Sequence, residues 1–244
     1  MLFRSNNINK VIIVTGASSG LGKAISYDLS KRGYLIAACS RNINKLKKNF
    51  KKNKNIFCFK VDVTKELEIK KFVKKIYKSF GKIDVLINNA GIALNSKFES
   101  IKTKDLDKLF KTNLYAPFLF IRECLPIMKK KKFGRIINIS SGGSVNCAKN
   151  FSAYSASKAA LNTIAKSLNN EINNFDIKIN TLSPGPIKTK MFPKNNLKPN
   201  LCIPTLLYLI NLNKNGPSGK FFWFKKEINI IPKLKINWGK PNFK

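Results

Sequence analysis

Residues 11–22 read VIIVTGASSGLG, and this stretch decides the fold. Residues 11–14 are a run of β-branched side chains without a polar interruption, which is typical of a strand buried on both faces of a parallel sheet. Thr15 and Gly16 end this run. Over residues 20–32 the apolar side chains return at helical spacing, and Gly33 ends the predicted helix. The segment therefore combines a strand, a glycine loop and a helix.

The glycine loop indicates where an anionic ligand would bind. Gly16 permits a tight turn, and Gly20 lets the backbone approach a pyrophosphate at the N-terminus of the helix. Free N–H groups and the helix dipole favour negative charge at that end. Gly22 lets the helix lie close to the strand. Because no GK[ST] sequence follows, the loop is not a P-loop, and it predicts a dinucleotide site.

Beyond the loop, strand-like and helical segments alternate. The predicted strands cover residues 34–39, 56–61, 83–88, 135–140, 177–182 and 219–224. The predicted helices cover residues 44–53, 65–80, 104–132, 153–174 and 204–212. Continuous apolar strands separated by helices predict an α/β protein, a single-domain doubly wound parallel sheet (Rossmann fold) with helices on both faces. We expect one domain over residues 1–244, with a core at about 10–224 and a C-terminal tail at 225–244.

Composition excludes several kinds of active site. The 244 residues contain 47 Lys or Arg, 12 Asp or Glu and no His, so the formal net charge is +35. Without histidine there is no Ser-His-Asp triad, no HExxH zinc site and no C2H2 finger. Acid–base chemistry at neutral pH must then use Tyr, Lys, Asp, Glu, Cys or a cofactor. The five cysteines contain no CxxC pair, so we expect neither a disulfide framework nor a metal site.

The basic charge has two interpretations. Only five of the 47 basic residues are Arg, and Asn and Ile are also abundant, so an A/T-rich coding sequence is a sufficient explanation. A selected anionic partner, such as RNA or an acidic carrier protein, is the alternative. Nucleic-acid surfaces also use Arg to grip phosphate, which disfavours RNA. No apolar stretch is long enough to span a bilayer and no signal-peptide pattern is present, so we expect a cytoplasmic protein without membrane contact.

Several further motifs stand directly after predicted strands or within predicted helices. They are NNAG at residues 88–91, Asn113, Ser141, a YxxxK pattern formed by Tyr154 and Lys158, and PG at residues 184–185. Together with the TGxxxGxG spacing of residues 15–22, these motifs resemble the short-chain dehydrogenase/reductase (SDR) family. The resemblance covers about residues 11–189 and weakens toward residue 224.

The resemblance implies an oxidoreductase acting on CH–OH groups with NAD(P) as acceptor, and four catalytic residues: Asn113, Ser141, Tyr154 and Lys158. Tyr154 and Lys158 are four residues apart and share a helix face. An ammonium group nearby, together with a cationic nicotinamide, would favour the phenolate of Tyr154. Ser141 would stabilise the substrate oxygen, with Ser140 facing the sheet. Asn113 would bend its helix and support a proton relay from Lys158.

The resemblance also implies a set of cofactor contacts and no metal. The contacts are Gly16, Ser18, Ser19, Gly20, Leu21, Gly22, Ser40, Arg41, Asp62, Val63, Asn89, Ala90, Gly91, Tyr154, Lys158, Pro184, Gly185, Ile187 and Thr189. An acidic residue at the end of the second strand would bind the ribose 2′-hydroxyl of NAD. Ser40 and Arg41 stand there instead, and they suit a 2′-phosphate. We therefore expect NADP(H) to be favoured over NAD(H), although Ser19 stands where many NADP-preferring relatives carry a second basic residue.

The function expected from these features is NADPH-dependent reduction of a small ketone or aldehyde, or the reverse oxidation, with Tyr154 as proton donor or acceptor. One alternative is a 3-oxoacyl-[acyl-carrier-protein] reductase, whose usual glycine-rich C-terminus is missing here. A second is a non-catalytic NADP-binding or basic RNA-binding protein on the same fold. The segment after Thr189 is short and holds three prolines, so we expect an open substrate pocket. Relatives of this family commonly form homodimers or homotetramers, and an acidic carrier protein is a candidate partner.

Overall fold

The central element is one eight-stranded sheet in a computed structural model that describes residues 10–224 and 226–230. The spatial order of the strands is β3-β2-β1-β4-β5-β6-β7-β8. The strands are β1 (Val11–Thr15), β2 (Leu35–Ser40), β3 (Ile56–Lys60), β4 (Val85–Asn88), β5 (Phe133–Ile139), β6 (Asp176–Ser183), β7 (Lys220–Trp223) and β8 (Lys226–Ile228). Strands β1 to β7 are parallel, and β8 pairs antiparallel with β7 at the edge.

Helices connect the strands and cover the sheet. They are α1 (Gly20–Lys31), α2 (Ile43–Phe50), α3 (Glu66–Phe80), α4 (Thr103–Phe110), α5 (Ala116–Lys131), α6 (Gly143–Asn146), α7 (Ser152–Glu171) and α8 (Ile203–Ile210). Short 3₁₀ turns occur at Phe98–Ser100 and Pro199–Cys202. None of the helices in the described ranges is long and apolar enough to cross a membrane.

Strand β1 shows why its sequence is apolar throughout. Ile12 and Val14 face one hydrophobic core, which includes Ile25 of α1 and residues of α8. Val11 and Ile13 face the opposite core, which includes residues of α3 and α5. All four β1 side chains are buried, because helices cover both faces of the sheet. This arrangement confirms the predicted doubly wound α/β fold.

The helical stretch predicted over residues 104–132 is interrupted. Helices α4 and α5 are joined by one π-helical turn, Lys111–Tyr115, which contains Asn113. Pro117 in the first turn of α5 has no N–H to donate to the carbonyl of Asn113, so the regular i→i−4 ladder cannot continue there. Pro126 lies inside α5 without ending it.

Part of the predicted C-terminal tail belongs to the sheet. Lys226–Ile228 forms β8, whose Cα register pairs Phe221 with Ile228 and Trp223 with Lys226. These three residues therefore belong to the sheet. Residues 231–244 of the predicted tail lie outside the described residues.

The strand order reverses between β1 and β4. Chain connections leave these two neighbouring strands in opposite directions, so a crevice opens between them at the carboxyl ends of the strands. The loops that follow β1, β2, β3, β4, β5 and β6 all begin at this edge of the sheet. The fold therefore gathers at one place the motifs that follow the strands.

Candidate active site

The glycine loop after β1 presents the N-terminus of α1 to the crevice. Gly16 has φ +66°, and a Cβ there would stand 2.8 Å from the Cα of Ala90, so only glycine fits. Ser19, at the N-cap of α1, makes no side-chain capping hydrogen bond, and the first turn of α1 contains no acidic residue. The positive end of this helix is therefore available to an anionic group.

Thr15 fastens the glycine loop to the NNAG motif after β4. Its hydroxyl oxygen accepts hydrogen bonds from the backbone N–H groups of Asn89, at 3.0 Å, and Ala90, at 2.9 Å. The Asn89 side-chain amide donates to the carbonyl of Thr15 at 2.8 Å. Gly22 lies against this same Asn89 amide, and a Cβ on Gly22 would collide with it. The absence of a side chain at Gly22 thus allows Asn89 to pack against the glycine loop.

One cleft of about 430 Å³ runs along the carboxyl ends of the strands and collects most of the predicted site. The predicted residues that line it are Gly16, Ser18, Ser19, Gly20, Leu21, Ser40, Arg41, Asp62, Val63, Asn89, Ala90, Gly91, Ser141, Tyr154, Lys158, Pro184, Gly185, Ile187 and Thr189. Two predicted residues do not line it. Gly22 lies behind the glycine loop, and Asn113 lies behind Gly91.

At one end of the cleft, Ser40 and Arg41 follow β2. The Ser40 hydroxyl is buried and donates to the carbonyl of Asn42 at 3.1 Å, whereas Arg41 is exposed. Asp62 lies on the same side. Burial alone would raise the pKa of Asp62, but hydrogen bonds from the Thr64 N–H and hydroxyl and the charges of Arg41 and Lys65 together lower it below its usual value. Asp62 is therefore a carboxylate at neutral pH.

Tyr154 is buried at the other end of the cleft, with 6% of its surface exposed. Burial raises the pKa of Tyr154, and the neighbouring Ser141 hydroxyl acts in the opposite direction without cancelling this effect. In the protein alone the Tyr154 phenol is thus the stable form. The expected shift toward phenolate includes the charge of a bound nicotinamide as well as that of Lys158, so it stays a prediction. Ser141 Oγ accepts a hydrogen bond from the Gly143 N–H at 3.1 Å, which fixes the hydroxyl position.

Lys158 is buried beside Tyr154 on α7. Its Nζ donates to the carbonyl of Ile139 at 2.8 Å and lies 6.0 Å from the centroid of the Tyr154 ring. Burial lowers the pKa of Lys158 to about 8. An amine with this pKa exchanges protons near neutral pH, which a proton relay requires.

Asn113 connects three parts of the site from the π-helical turn. Its Oδ1 accepts from the Ile92 N–H at 2.9 Å, and its Nδ2 donates to the Ile92 carbonyl at 2.9 Å and to Ser157 Oγ at 3.1 Å. A Cβ on Gly91 would stand 3.4 Å from both Asn113 Oδ1 and Lys158 Nζ. Asn113 therefore holds the loop after β4 against α7.

Ser140 does not face the sheet as expected. Its hydroxyl donates to the Lys158 carbonyl at 3.3 Å, so it points toward α7 and also borders the cleft. The alternation of β5 explains this direction: Ile137 and Ile139 face the core that contains α8, and the Ser140 N–H still bonds the Leu182 carbonyl of β6, so the Ser140 side chain faces the opposite side, where α7 packs.

The sequence analysis did not identify two aromatic residues beside Tyr154. Phe192 packs against the Tyr154 ring with centroids 6.2 Å apart, and Phe151 does so at 6.0 Å. The open pocket expected after Thr189 is therefore narrowed by Phe192. Further cleft residues outside the prediction are Asn42, Val61, Thr64, Ile92, Thr112, Ile139, Ser140, Lys190 and Met191. Several of these residues are neighbours in the sequence of predicted site residues, and this proximity could have identified them.

Within residues 10–224 and 226–230, no group of three or more His, Cys, Asp or Glu side chains is arranged to hold a metal ion. The cysteines of this part of the chain are all free, and Cys39, Cys124 and Cys202 are buried away from solvent.

Comparison with known proteins agrees with this geometry. A family model described as short chain dehydrogenase matches residues 10–200. The chain is 30% identical over 215 residues to an uncharacterized oxidoreductase of Staphylococcus aureus (strain MRSA252), which covers 85% of this chain and 93% of the relative. The chain therefore belongs to the short chain dehydrogenase family, and it is an oxidoreductase.

Two solved structures show how far the similarity extends. ElxO with NADP bound matches with a TM-score of 0.81 and 28% identity, over 88% of this chain and 96% of that chain. A 3-ketoacyl-(acyl-carrier-protein) reductase from Brucella melitensis complexed with NADH matches with a TM-score of 0.83 over the same shares of the two chains. Its identity is only 23%, so this second likeness shows the shared fold alone.

Proposed function

We propose that this oxidoreductase uses NADPH to reduce a ketone or aldehyde to the alcohol. One observation carries the proposal: Ser141, Tyr154 and Lys158 line the same cleft as the glycine loop at the N-terminus of α1. A dinucleotide laid along this cleft would bring its reactive end next to an acid–base group. A non-catalytic NADP-binding or RNA-binding protein would not need these three side chains in the same cleft.

The residues present fit a dinucleotide cofactor. Gly20 lines the cleft at the uncapped end of α1, and a Cβ there would point at the side chain of Thr189, 3.5 Å away. A pyrophosphate would accept hydrogen bonds from the backbone N–H groups of this turn. When bound, the cofactor supplies the hydride that the carbonyl carbon accepts.

The protein's own groups handle the oxygen and the proton. The Tyr154 hydroxyl donates its proton to the carbonyl oxygen as negative charge develops there. Ser141 Oγ accepts from Gly143 and keeps its own hydrogen for the same oxygen. Lys158 then returns a proton to Tyr154, which restores the phenol. The products are the alcohol and the oxidised cofactor, and one proton is taken from solvent.

A preference for NADP(H) over NAD(H) is the finer part of the proposal. It is supported by the exposed guanidinium of Arg41, in the place where NAD-binding folds carry an acid. The solved relative ElxO, at 28% identity, has NADP bound. Asp62, at the same end of the cleft, already attracts Arg41, and it would compete with the 2′-phosphate for this side chain.

Fluorescence titration of NADPH and NADH at fixed salt tests the assignment. We expect wild type to bind NADPH more tightly, and Arg41→Ala to lower the NADPH:NADH affinity ratio by about tenfold, because a charge-assisted hydrogen bond is lost. Arg32→Ala is the matched control, since it also removes an exposed guanidinium, at the far end of α1. Tighter binding of NADH by wild type would reverse the preference, and binding of neither nucleotide would refute the proposed function.

A homodimer or homotetramer remains a prediction for this chain. Its support in the structure is the exposure of two apolar rings near Asn113, Tyr115 at 56% and Phe118 at 52%. A second copy could cover such rings, which otherwise lie in water. The cytoplasmic location, the extent of the domain over residues 1–244 and an acidic carrier protein as partner are also predictions.

A further inference from the structure

Three aromatic rings meet where the proposed proton transfer takes place. The Phe151 and Tyr154 rings are 6.0 Å apart and 71° from parallel. Phe192 completes the group, 6.0 Å from Phe151 and 6.2 Å from Tyr154. We call these three rings the aromatic wall. Their edge-to-face and tilted contacts are those that stabilise aromatic pairs.

Phe192 is held in the wall by the backbone of its own loop. The Phe192 N–H donates to Thr189 Oγ1 at 3.2 Å, and its carbonyl accepts from the Thr189 N–H at 3.3 Å. The Lys188 N–H donates to the Leu197 carbonyl at 2.7 Å and closes the base of the loop. The ring position is therefore set by a folded turn, and both Thr189 and Phe192 line the cleft.

The surroundings of the aromatic wall are apolar. The side chains packed with it are Ile92, Ala93, Leu94, Ile101, Leu106, Leu109 and Ala153. Met191, 39% exposed, also lines the cleft next to Phe192. A ligand group that enters here from water replaces its hydration shell with carbon, which favours apolar groups and penalises charged ones.

The charged side chains of the cleft, as far as the structure describes it, lie elsewhere or are already engaged. Arg41 and Asp62 stand at the opposite end, after β2 and β3. Lys158 is bonded to the Ile139 carbonyl at 2.8 Å. Lys190 is on the loop and is exposed. Apart from Lys158, whose amine is already bonded to the Ile139 carbonyl, a carboxylate or phosphate on the substrate would therefore find no buried counter-charge beside Tyr154 among the described cleft residues.

We propose that the substrate is an uncharged ketone or aldehyde with an apolar, preferably aromatic, body that packs against the aromatic wall. This inference rests on the proposed function and names the substrate class for the same site. The carbonyl oxygen lies between Ser141 and Tyr154, and the body extends over Phe192. The carbonyl carbon accepts the hydride of NADPH while its oxygen accepts the proton of Tyr154. An acyl thioester on a carrier protein is the competing substrate.

Matched methyl ketones test the substrate class. We would measure kcat/KM with saturating NADPH for 4-phenyl-2-butanone, 2-heptanone and the anion 4-oxopentanoate. About 0.5 M NaCl would screen the attraction of the anion to the basic surface. We expect the phenyl ketone to exceed the anion by about tenfold or more, because burying the ring releases apolar surface from water. An acetoacetyl thioester of an acidic carrier protein is assayed alongside.

Variants of the wall identify its contribution. Phe192→Ala should lower kcat/KM for 4-phenyl-2-butanone by about tenfold and leave that for 4-oxopentanoate within about twofold, with KM for NADPH unchanged. Phe192→Leu keeps apolar bulk and should recover part of the loss. Phe98→Ala is the matched control, since this phenylalanine is 78% exposed in a 3₁₀ turn.

Each other outcome overturns a definite statement. A preference for 4-oxopentanoate or for the carrier-bound thioester overturns the substrate class, and so does an equal loss for all ketones in Phe192→Ala. NADPH binding without turnover of any apolar ketone also overturns it, while the cofactor assignment stands. Absence of NADPH binding overturns the proposed function itself.

Discussion

The indole ring of Trp223 lies against the backbone of Gly142. A Cβ built on Gly142 would stand 2.5 Å from the indole Cη2, closer than carbon atoms approach in proteins. Gly142 has φ −57° and ψ −26°, values that any residue adopts, so the indole and not the backbone requires glycine here. Because Gly142 directly follows Ser141, the last parallel strand contacts the loop that carries the proposed oxygen-binding hydroxyl.

Gly142→Ala should therefore displace Ser141. Overpacking of this kind costs about 1–3 kcal/mol, which the loop after β5 can relieve by moving away from Trp223. We expect kcat to fall by about tenfold or more, because the Ser141 hydroxyl leaves its position, while KM for NADPH stays within about twofold. Steady-state kinetics and the melting temperature of the same preparation measure both effects.

The Trp223→Ala background is the control for this contact. Without the indole, the added methyl group of Gly142→Ala has room, so the second substitution should change kcat by less than about threefold. The two changes then show a coupling free energy of about 0.7 kcal/mol or more. An equal loss of kcat in both backgrounds would assign the effect to the loop backbone and not to Trp223.

Much of the site could be predicted because its motifs directly follow strands. Gly16, Asn89 and Ser141 stand one to two residues beyond the apolar runs of β1, β4 and β5. In a parallel sheet the carboxyl ends of neighbouring strands meet at one edge, so local sequence was enough to place these residues together. The switch between β1 and β4 was seen only in the strand order of the structure.

Contacts between segments far apart in the sequence could not be predicted in this way. Trp223 meets Gly142, and Phe192 meets Tyr154, because a hairpin and an irregular loop fold back on the site. The spacing of apolar residues along a helix or strand does not predict contacts of this kind. The pKa of Tyr154 could not be predicted from spacing either. The four-residue spacing predicted that Tyr154 and Lys158 lie close together, but burial of Tyr154 determines that its pKa is raised in the protein alone.

Arg135 is expected to support the fold without serving the site. It lies near the start of β5, 1% exposed, and donates from three guanidinium nitrogens to the carbonyls of Gly134, Asp176 and Leu212 and to the Asp176 carboxylate. Arg135→Met would leave the buried acceptors without donors. We expect the free energy of unfolding to fall by about 3–5 kcal/mol.

Urea unfolding of Arg135→Met checks this value, and NADPH titration of the folded variant is the companion measurement. The dissociation constant should stay within about twofold of wild type, because Arg135 is at the opposite end of β5 from Ser141. Arg122→Met is the control, since Arg122 makes exposed ion pairs with Glu66 and Glu123 that contribute little. Equal stability of the two variants would contradict the structural role.

Tyr154→Phe should remove nearly all turnover and leave NADPH binding largely intact. The substitution deletes only the hydroxyl that is proposed to donate the proton, while the ring keeps its contacts with Phe151 and Phe192. Single-turnover measurements with excess enzyme would isolate the chemical step. Turnover within about tenfold of wild type corresponds to less than about 1.4 kcal/mol of barrier, and it would exclude Tyr154 as the proton donor.

Lys158 should make stability depend on pH in a predictable direction. Burial lowers its pKa from 10.5 to about 8, a difference of about 2.5 units or about 3 kcal/mol. Below about pH 8 the amine is protonated in the folded and unfolded chains alike, so the whole penalty of burying the charge applies. Between about pH 8 and 10.5 the unfolded chain binds more protons than the folded one, so stability rises with pH.

The pH dependence due to Lys158 is isolated by comparing Tyr154→Phe with the double variant Tyr154→Phe/Lys158→Met. Tyr154→Phe removes the neighbouring phenol from both proteins, and the methionine has no charge to bury. We expect the free energy of unfolding of the Lys158 protein, minus that of the Met variant, to rise by as much as about 3 kcal/mol from about pH 7.5 to 10.5. Urea unfolding at intervals across this range measures the difference. The exposed Lys149, changed to Met in the same background, is the control for removing one lysine from the surface. A difference for Lys158 that is flat with pH would mean that water reaches its amine, and the proposed relay would then lack the amine of lowered pKa on which it depends.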